Sequence, residues 1–281
     1  MKKIVSLLLA VVLLCGCAFT LSSCGETIVS KVGVQEGTTS KDYADILKGV
    51  EVVPYETFAY AATAMKNGNV DYVIVDKTTG EALCRDISGL KINPIALSTE
   101  KYGIAIDKNQ ANLKTQIDTI LAEKADEIQA IKDKYMSGNE EAYVGVISKT
   151  QDPAKADTQL VVATNAEFDP WEWVEGSDGT DTVYYGIDME IAALIAEELG
   201  MELVIKDMKF EVVVSAVGSN GVDIAMSGIT ITAERMQVVN FSESYYTESI
   251  VVVHKADDTS LDKCGTVVDI LKKLCVPEEE E

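Results

Sequence analysis

"VDIAMSGITITAERMQVVNFSESYY", residues 222–246, carries the reading on which the fold turns. Its first five residues form a short apolar strand, a Ser-Gly pair breaks that strand, and Arg235 opens what reads as the first turn of a helix. A helix N-terminus is partially positive, so a cation there is mildly unfavourable unless something negative binds nearby. Backbone N–H groups and a guanidinium converging on one anion resolve the conflict. Arginine also offers a carboxylate two parallel N–H···O bonds, which lysine cannot match. Ser227, Gly228 and Thr230 follow the strand at its carboxyl end, where open α/β sheets bind ligands. The residues alone leave a plainer reading open, with Arg235 pairing on the surface with Glu234 or Glu243 and Thr230 or Thr232 serving as a cap.

Outward from this segment, strands and helices alternate. "QLVVATN" opens a block that continues through a loop containing "FDPWEW", the strand "TVYYGIDM", the amphipathic helix "MEIAALIAEELG", the strand "MELVIKDM" and the helix "FEVVVSAVGSNG". The long strand "ESIVVVHK" closes it. An earlier block has β-branched strands at "KVGVQ", "VEVVPY", "VDYVIVD", "LKINPI" and "YGIAID". Helical stretches "SKDYADILKG", "TFAYAATAMKNG" and "TTGEALCRD" separate them. Such alternation predicts mostly parallel sheets with both faces covered. Residues 110–136 predict one long helix, because Leu113, Ile117, Ile120, Leu121, Ile128 and Ile131 fall on a single stripe. Residues 138–158 lack sustained periodicity and read mostly as a linker.

Composition narrows the function classes. With 46 acidic against 24 basic residues, the net charge of −22 argues against nucleic acid or anionic lipid as a partner. The N-terminal "MKKIVSLLLAVVLLCGCAFTLSSCGE" has two lysines before an apolar run, the layout of a secretory signal. That run is shorter than the ~20 residues a membrane span needs. Its ending "LSSCG" resembles a bacterial lipobox, which would make Cys24 the lipidated first residue of the mature chain, with "LLCGC" a weaker alternative at Cys17. Two acyl chains suffice for stable anchoring, so the working part is expected outside the cytoplasmic membrane, attached only through its lipid. Cys84, Cys264 and Cys275 remain, an odd set that leaves a 264–275 disulfide and free thiols equally open. His254 is the single histidine, so no metal site is expected.

From "LVVATN" to "VVVHK" the second block resembles the first lobe of the amino-acid-binding solute receptors of ABC importers. The likeness rests on "YYGIDMEIAALIAEELG", on residues 222–246 and on the aromatic loop after the first strand. The earlier block, from "KVGVQEGTTSKDY" to "YGIAIDK", resembles the second lobe, and the helix through "IKDKYM" the family's C-terminal segment. The resemblance implies an α/β, two-lobed, type II periplasmic-binding-protein-like fold with a mostly parallel sheet in each lobe and two hinge strands. The order is inverted, as a circular permutation cut at a hinge would make it; a damaged tandem copy is the competing account. The expected organisation is a signal peptide over 1–23, a lipidated tether over 24–30, and the second lobe over 31–103. A hinge strand and returning helix over 104–137, a linker over 138–158, the first lobe over 159–255 and an acidic tail over 256–281 follow.

The resemblance also implies a site. Arg235 would grip a ligand α-carboxylate, with Ser227, Gly228 and Thr230 on the first lobe and Thr38, Thr39 and Gln35 on the second. Asp76 would accept the α-ammonium, although capping of the next helix explains it too. Asn165, Phe168 and Phe210 would surround the ligand side chain. Asn165 replaces an aspartate common in the family, so Glu167 or Glu36 would have to serve a cationic ligand. The implied function is capture of a free amino acid by a monomeric receptor that delivers it to an importer permease, with no cofactor. Alternatives are a sensing module without a transporter, or a dehydratase-like enzyme on the same scaffold. The second is disfavoured because no acid–base pair is evident.

Overall fold

The computed structural model describes residues 30–177 and 182–275. The expected signal peptide, Cys24 and the closing glutamates lie outside the described residues. Among the described residues, no helix is long and apolar enough to cross a membrane.

The second lobe is built on β1 (Ser30–Gln35), β2 (Val50–Tyr55), β3 (Tyr72–Asp76) and β4 (Leu90–Tyr102). Between them run α1 (Thr39–Asp45), α2 (Phe58–Lys66) and α3 (Lys77–Asp86). β3, with the sequence YVIVD, is buried throughout, as a central parallel strand must be. β2 tolerates Pro54 because it lies at the sheet's edge. Thr38 caps α1 by accepting from Lys41 N–H, and Thr57 caps α2 by accepting from Tyr60 N–H.

The chain then crosses through β5 (Ala105–Ile106) into two helices, α4 (Ala111–Glu123) and α5 (Ala125–Met136). The single long helix expected from the periodicity is thus broken at Lys124, whose φ of −101° and ψ of 17° leave the helical region. The apolar stripe survives the break: Ile117, Ile120, Leu121, Ile128 and Ile131 are all buried. The stretch expected to be a linker contributes β6 (Val146–Ile147), which pairs antiparallel with β10 (Thr182–Tyr185).

The first lobe comprises β7 (Gln159–Thr164), β8 (Glu167–Phe168), β9 (Glu172–Ser177), α6 (Ile187–Leu199), β11 (Glu202–Asp207), α7 (Phe210–Ala216), β12 (Ile224–Ala225) and β13 (Asn240–Phe241). β14 (Tyr246–Lys255) returns to the second lobe. The two large sheets share one plan, in the orders β2-β1-β3-β14-β4 and β11-β7-β12-β5-β13. In each, the fourth strand runs antiparallel to its neighbours and comes from the chain of the other half. A small antiparallel sheet, β6-β10-β9-β8, flanks the first lobe.

β4 and β14 pair along their length, and β4 continues at Tyr102 into a bridge with Thr230 on the first lobe. These are the two hinge strands. His254, near the end of β14, and Val32, near the start of β1, both pair with Tyr72. With one strand between them, the end of β14 and the start of β1 lie about 10 Å apart, two strand spacings.

The stretch expected to be an acidic tail is largely structural. Leu261 and α8 (Val267–Cys275) place Ile270, Leu271 and Leu274 in an apolar cluster with Val32, Ile74, Ile250 and Val252. This short helix therefore covers one face of the second-lobe sheet, and its apolar spacing at i, i+1 and i+4 is the reason it is helical there.

Candidate functional site

The two lobes close on a cavity of about 10 Å³. Its walls bring together Gln35, Thr38, Thr39 and Asp76 from the second lobe with Phe168, Phe210, Ser227, Gly228, Thr230 and Arg235 from the first. Phe58, at the start of α2, joins them. Asn165 stands one bond away, its Oδ1 accepting from Gln35 Nε2 at 3.0 Å across the cleft.

Arg235 does not start an α-helix. It begins a three-residue 3₁₀ turn, Arg235–Gln237, too short to carry a macrodipole. Thr232 Oγ1 accepts from Arg235 N–H at 3.1 Å, so Thr232 is the local cap. The guanidinium reaches into the cleft, with Nη1 donating to Thr230 O at 2.9 Å and Nη2 to Gly37 O at 3.0 Å. Its carbon lies 5.6 Å from the centre of the Phe210 ring. Burial lowers its pKa, while Glu100, Asp42 and Asp76 act in the opposite sense. Both hydrogen-bond acceptors are neutral carbonyls, so an incoming carboxylate offers this cation a stronger partner.

Asp76 ends β3 in the N-cap position of α3, yet its side chain makes no capping bond. Oδ1 accepts from Tyr102 Oη at 2.5 Å. Burial, then the charge of Glu248, pushes its pKa up to about 8, against the lowering effect of the Tyr102 bond. A buried carboxyl held protonated in this way becomes a carboxylate when an ammonium is set beside it.

Gly228 is required by geometry. Its φ of +52° is left-handed. An added Cβ would stand 2.6 Å from Phe168 Cε1. Gly228 N–H donates to Asp188 Oδ2 at 2.8 Å, and Ser227 Oγ donates to Glu172 Oε1 at 2.6 Å while accepting from Asn165 N–H. Glu172 and Asp188 are fully buried, and Tyr245 Oη also donates to Asp188. Burial, chiefly, holds both carboxyls well above the ordinary carboxylate range. Two adjacent anions without a cation are prohibitive in such a setting, so a proton stays on the pair at neutral pH.

Three residues escape the sequence reading: Phe58, which lines the cavity, and Glu100 and Tyr102, which are bonded to its wall. Glu100, on β4, accepts at a single oxygen, Oε2, from Thr39 Oγ1 and Thr230 Oγ1, both at 2.6 Å. Tyr102 orders Asp76, and Phe58 packs its ring 5.9 Å from that of Phe168. All three gain these neighbours only through tertiary closure. Glu100 gives no local signal, because it falls between the segments "LKINPI" and "YGIAID" that read as strands.

Outside the cavity, Arg85 and Asp169 pair across the lobes at 2.6 Å, as do Lys209 and Glu56 at 3.1 Å. A wider cleft of about 860 Å³ lies beside Phe58, with Glu167, Asp169, Tyr143 and Trp173 among its walls. Glu36 lines a separate recess by Lys209. Neither Glu167 nor Glu36 lines the central cavity, so neither stands in for an aspartate at position 165 there. We place the site at the smaller cavity because charged and hydroxyl groups of both lobes converge there.

Residues 160–277 match the bacterial extracellular solute-binding proteins, family 3. The chain is 36% identical over 99 residues to the arginine-binding extracellular protein ArtP of Bacillus subtilis, covering 35% of this chain and 37% of that one. It is 34% identical over 86 residues to a cyclohexadienyl dehydratase of Pseudomonas aeruginosa, 31% of each chain. It therefore spans about a third of the length of these relatives. The crystal structure of the GluR0 ligand-binding core with L-glutamate superposes with a TM-score of 0.44 and 11% identity, over 88% of this chain and 91% of that one.

Proposed function

We propose, for a chain related to the amino-acid-binding class of bacterial extracellular solute-binding proteins, that it captures a free amino acid between its lobes. Arg235 takes the α-carboxylate and Asp76 the α-ammonium, with Phe58, Phe168 and Phe210 around the side chain. The observation that supports this is that an arginine of one lobe and a buried carboxyl of the other line the same cavity. Neither lobe holds both charges, so the ligand has better contacts in the closed form and draws the lobes together.

Capture requires the lobes to part, since a space of about 10 Å³ admits no amino acid. On entry the ligand replaces partners that the cleft residues give one another: the carbonyls on Arg235, Tyr102 on Asp76, and Asn165 on Gln35. The same reading assigns Cys24 as a lipid anchor outside the cytoplasmic membrane, an importer permease as the partner and a monomeric state. The shared sheet plan and the neighbouring ends of β14 and β1 favour a circular permutation over a damaged tandem copy.

The test is a thermal-shift screen of the free amino acids, with L-arginine first among the probes, followed by calorimetric titration of any that raise Tm. At least one should stabilise the protein in a saturable way. A flat screen would sink the receptor reading.

A further inference from the structure

The hydroxyls of Thr39 and Thr230 stand on opposite lobes and belong with Arg235 to the wall expected to hold a ligand carboxylate. Both already donate to one carboxylate oxygen, Oε2 of Glu100, at 2.6 Å each. Glu100 is also the carboxylate whose charge acts most strongly on the Arg235 guanidinium. It projects from β4, a hinge strand, so its backbone belongs to the element about which the lobes turn. Among the described residues, no lysine or arginine pairs with it at contact distance, and its side chain's hydrogen-bond partners are the two threonines.

We propose that Glu100 is an internal carboxylate that occupies the ligand-carboxylate subsite and competes with the ligand for it. This rests on the receptor reading above and adds a specificity-determining residue to the same site. In the closed form Glu100 fastens Thr39 to Thr230 and holds the lobes together without a ligand. An arriving α-carboxylate must take both hydroxyls from it, and the Arg235 guanidinium from the carbonyls of Thr230 and Gly37. Two carboxylates cannot share these donors without strong repulsion at short range, so Glu100 must swing away or give up its bonds. The apparent affinity is then reduced by the fraction of protein held in the self-occupied form. The competition concerns the carboxylate end of the ligand alone.

That restriction supplies the test. L-arginine and its decarboxylated form, agmatine, are titrated calorimetrically against the wild type, Glu100→Ala and Glu100→Gln. Removing the internal carboxylate should tighten L-arginine binding by about tenfold or more, while agmatine, which has no carboxylate, should shift little. Glu100→Gln keeps an acceptor for the two hydroxyls without the charge, so its gain should be smaller and in the same direction. X-ray scattering of the ligand-free proteins gives an arm that needs no ligand: Glu100→Ala should increase the radius of gyration as the fastening is lost.

An unchanged or weaker affinity for L-arginine in both variants would overturn the proposal. So would an equal gain for agmatine, or a ligand-free Glu100→Ala as compact as wild type. If neither the wild type nor the variants bound any amino acid, the receptor reading would fail instead, and the scattering arm would still decide whether Glu100 fastens the lobes.

Discussion

The two lobes are near copies in plan and opposites in chemistry. Each has three parallel strands, a fourth lent by the other half, and a fifth beyond it. Yet the second lobe presents a carboxyl at the very end of β3, fixed by a fully buried strand, whereas the first presents a guanidinium from a short 3₁₀ turn after β12. A carboxyl at a strand end is deeply desolvated and so protonated. A guanidinium on a turn keeps its charge by reaching backbone carbonyls on both lobes. Equivalent places in one architecture thus yield one pole that waits to be charged and one that is always charged.

The largest effect that would break this contrast is on the cation. Arg235→Ala should cost roughly 2–5 kcal/mol of amino-acid binding, because it strands the ligand carboxylate in a closed site. Unchanged affinity by calorimetry would remove Arg235 from the site.

The carboxyl should matter somewhat less: Asp76→Asn should cost about 1.5–3 kcal/mol, the range of a hydrogen bond to a charged group. Asp76 also makes a signed prediction. Its folded pKa of about 8 means that the free protein carries this proton at neutral pH, and an ammonium partner expels it. Binding near neutral pH should therefore release protons, which titrations in buffers of different ionisation enthalpy will detect. The absence of proton release in the wild type would contradict the role given to Asp76. In the ligand-free protein the raised pKa makes stability fall as pH climbs from about 4, the unfolded value, toward 8.

Behind Ser227 and Gly228, Glu172→Gln sharpens the comparison at smaller cost. The amide mimics the protonated acid, so stability at neutral pH should change by on the order of 1 kcal/mol or less. The folded pKa of Glu172 is raised, so its contribution is full below the ordinary glutamate range and declines as pH rises. The variant should therefore show a flatter alkaline fall in Tm than the wild type. Parallel curves would mean that the Glu172–Asp188 pair holds no extra proton.

The smallest effect belongs to the rim. Arg85→Ala removes a partly exposed cross-lobe pair and should weaken ligand binding by at most about 1 kcal/mol, less in high salt. A larger, salt-insensitive loss would move closure away from the central cavity to the edge.

What could be read from the chain follows the range of the interactions. The alternation of "VDYVIVD" or "QLVVATN" with helices is local, and it yields the two sheets. The residue types in "MSGITITAER" and "GTTSKDY" mark cleft walls because short turns after apolar strands must lie at a sheet end. Glu100 is illegible in the sequence because its meaning depends on hydroxyls 61 residues before it and 130 residues after it. The same holds for the Glu172–Asp188 pair, whose charge problem exists only once both are buried. The break at Lys124 leaves no proline or glycine signal, and the helical stripe crosses it undisturbed. β6 is two residues long and is a strand only because β10 lies beside it.

The position of β14 in its sheet carries a consequence for how the molecule is made. It fills the place between β3 and β4, although the whole first lobe separates it from them along the chain. Until β14 docks, the second lobe is a sheet with its middle missing, exposing the inner edges of both neighbours. Folding is therefore committed late, by a contact of high sequence separation, which predicts slow acquisition of the native state and a need for protection of those open edges until it forms.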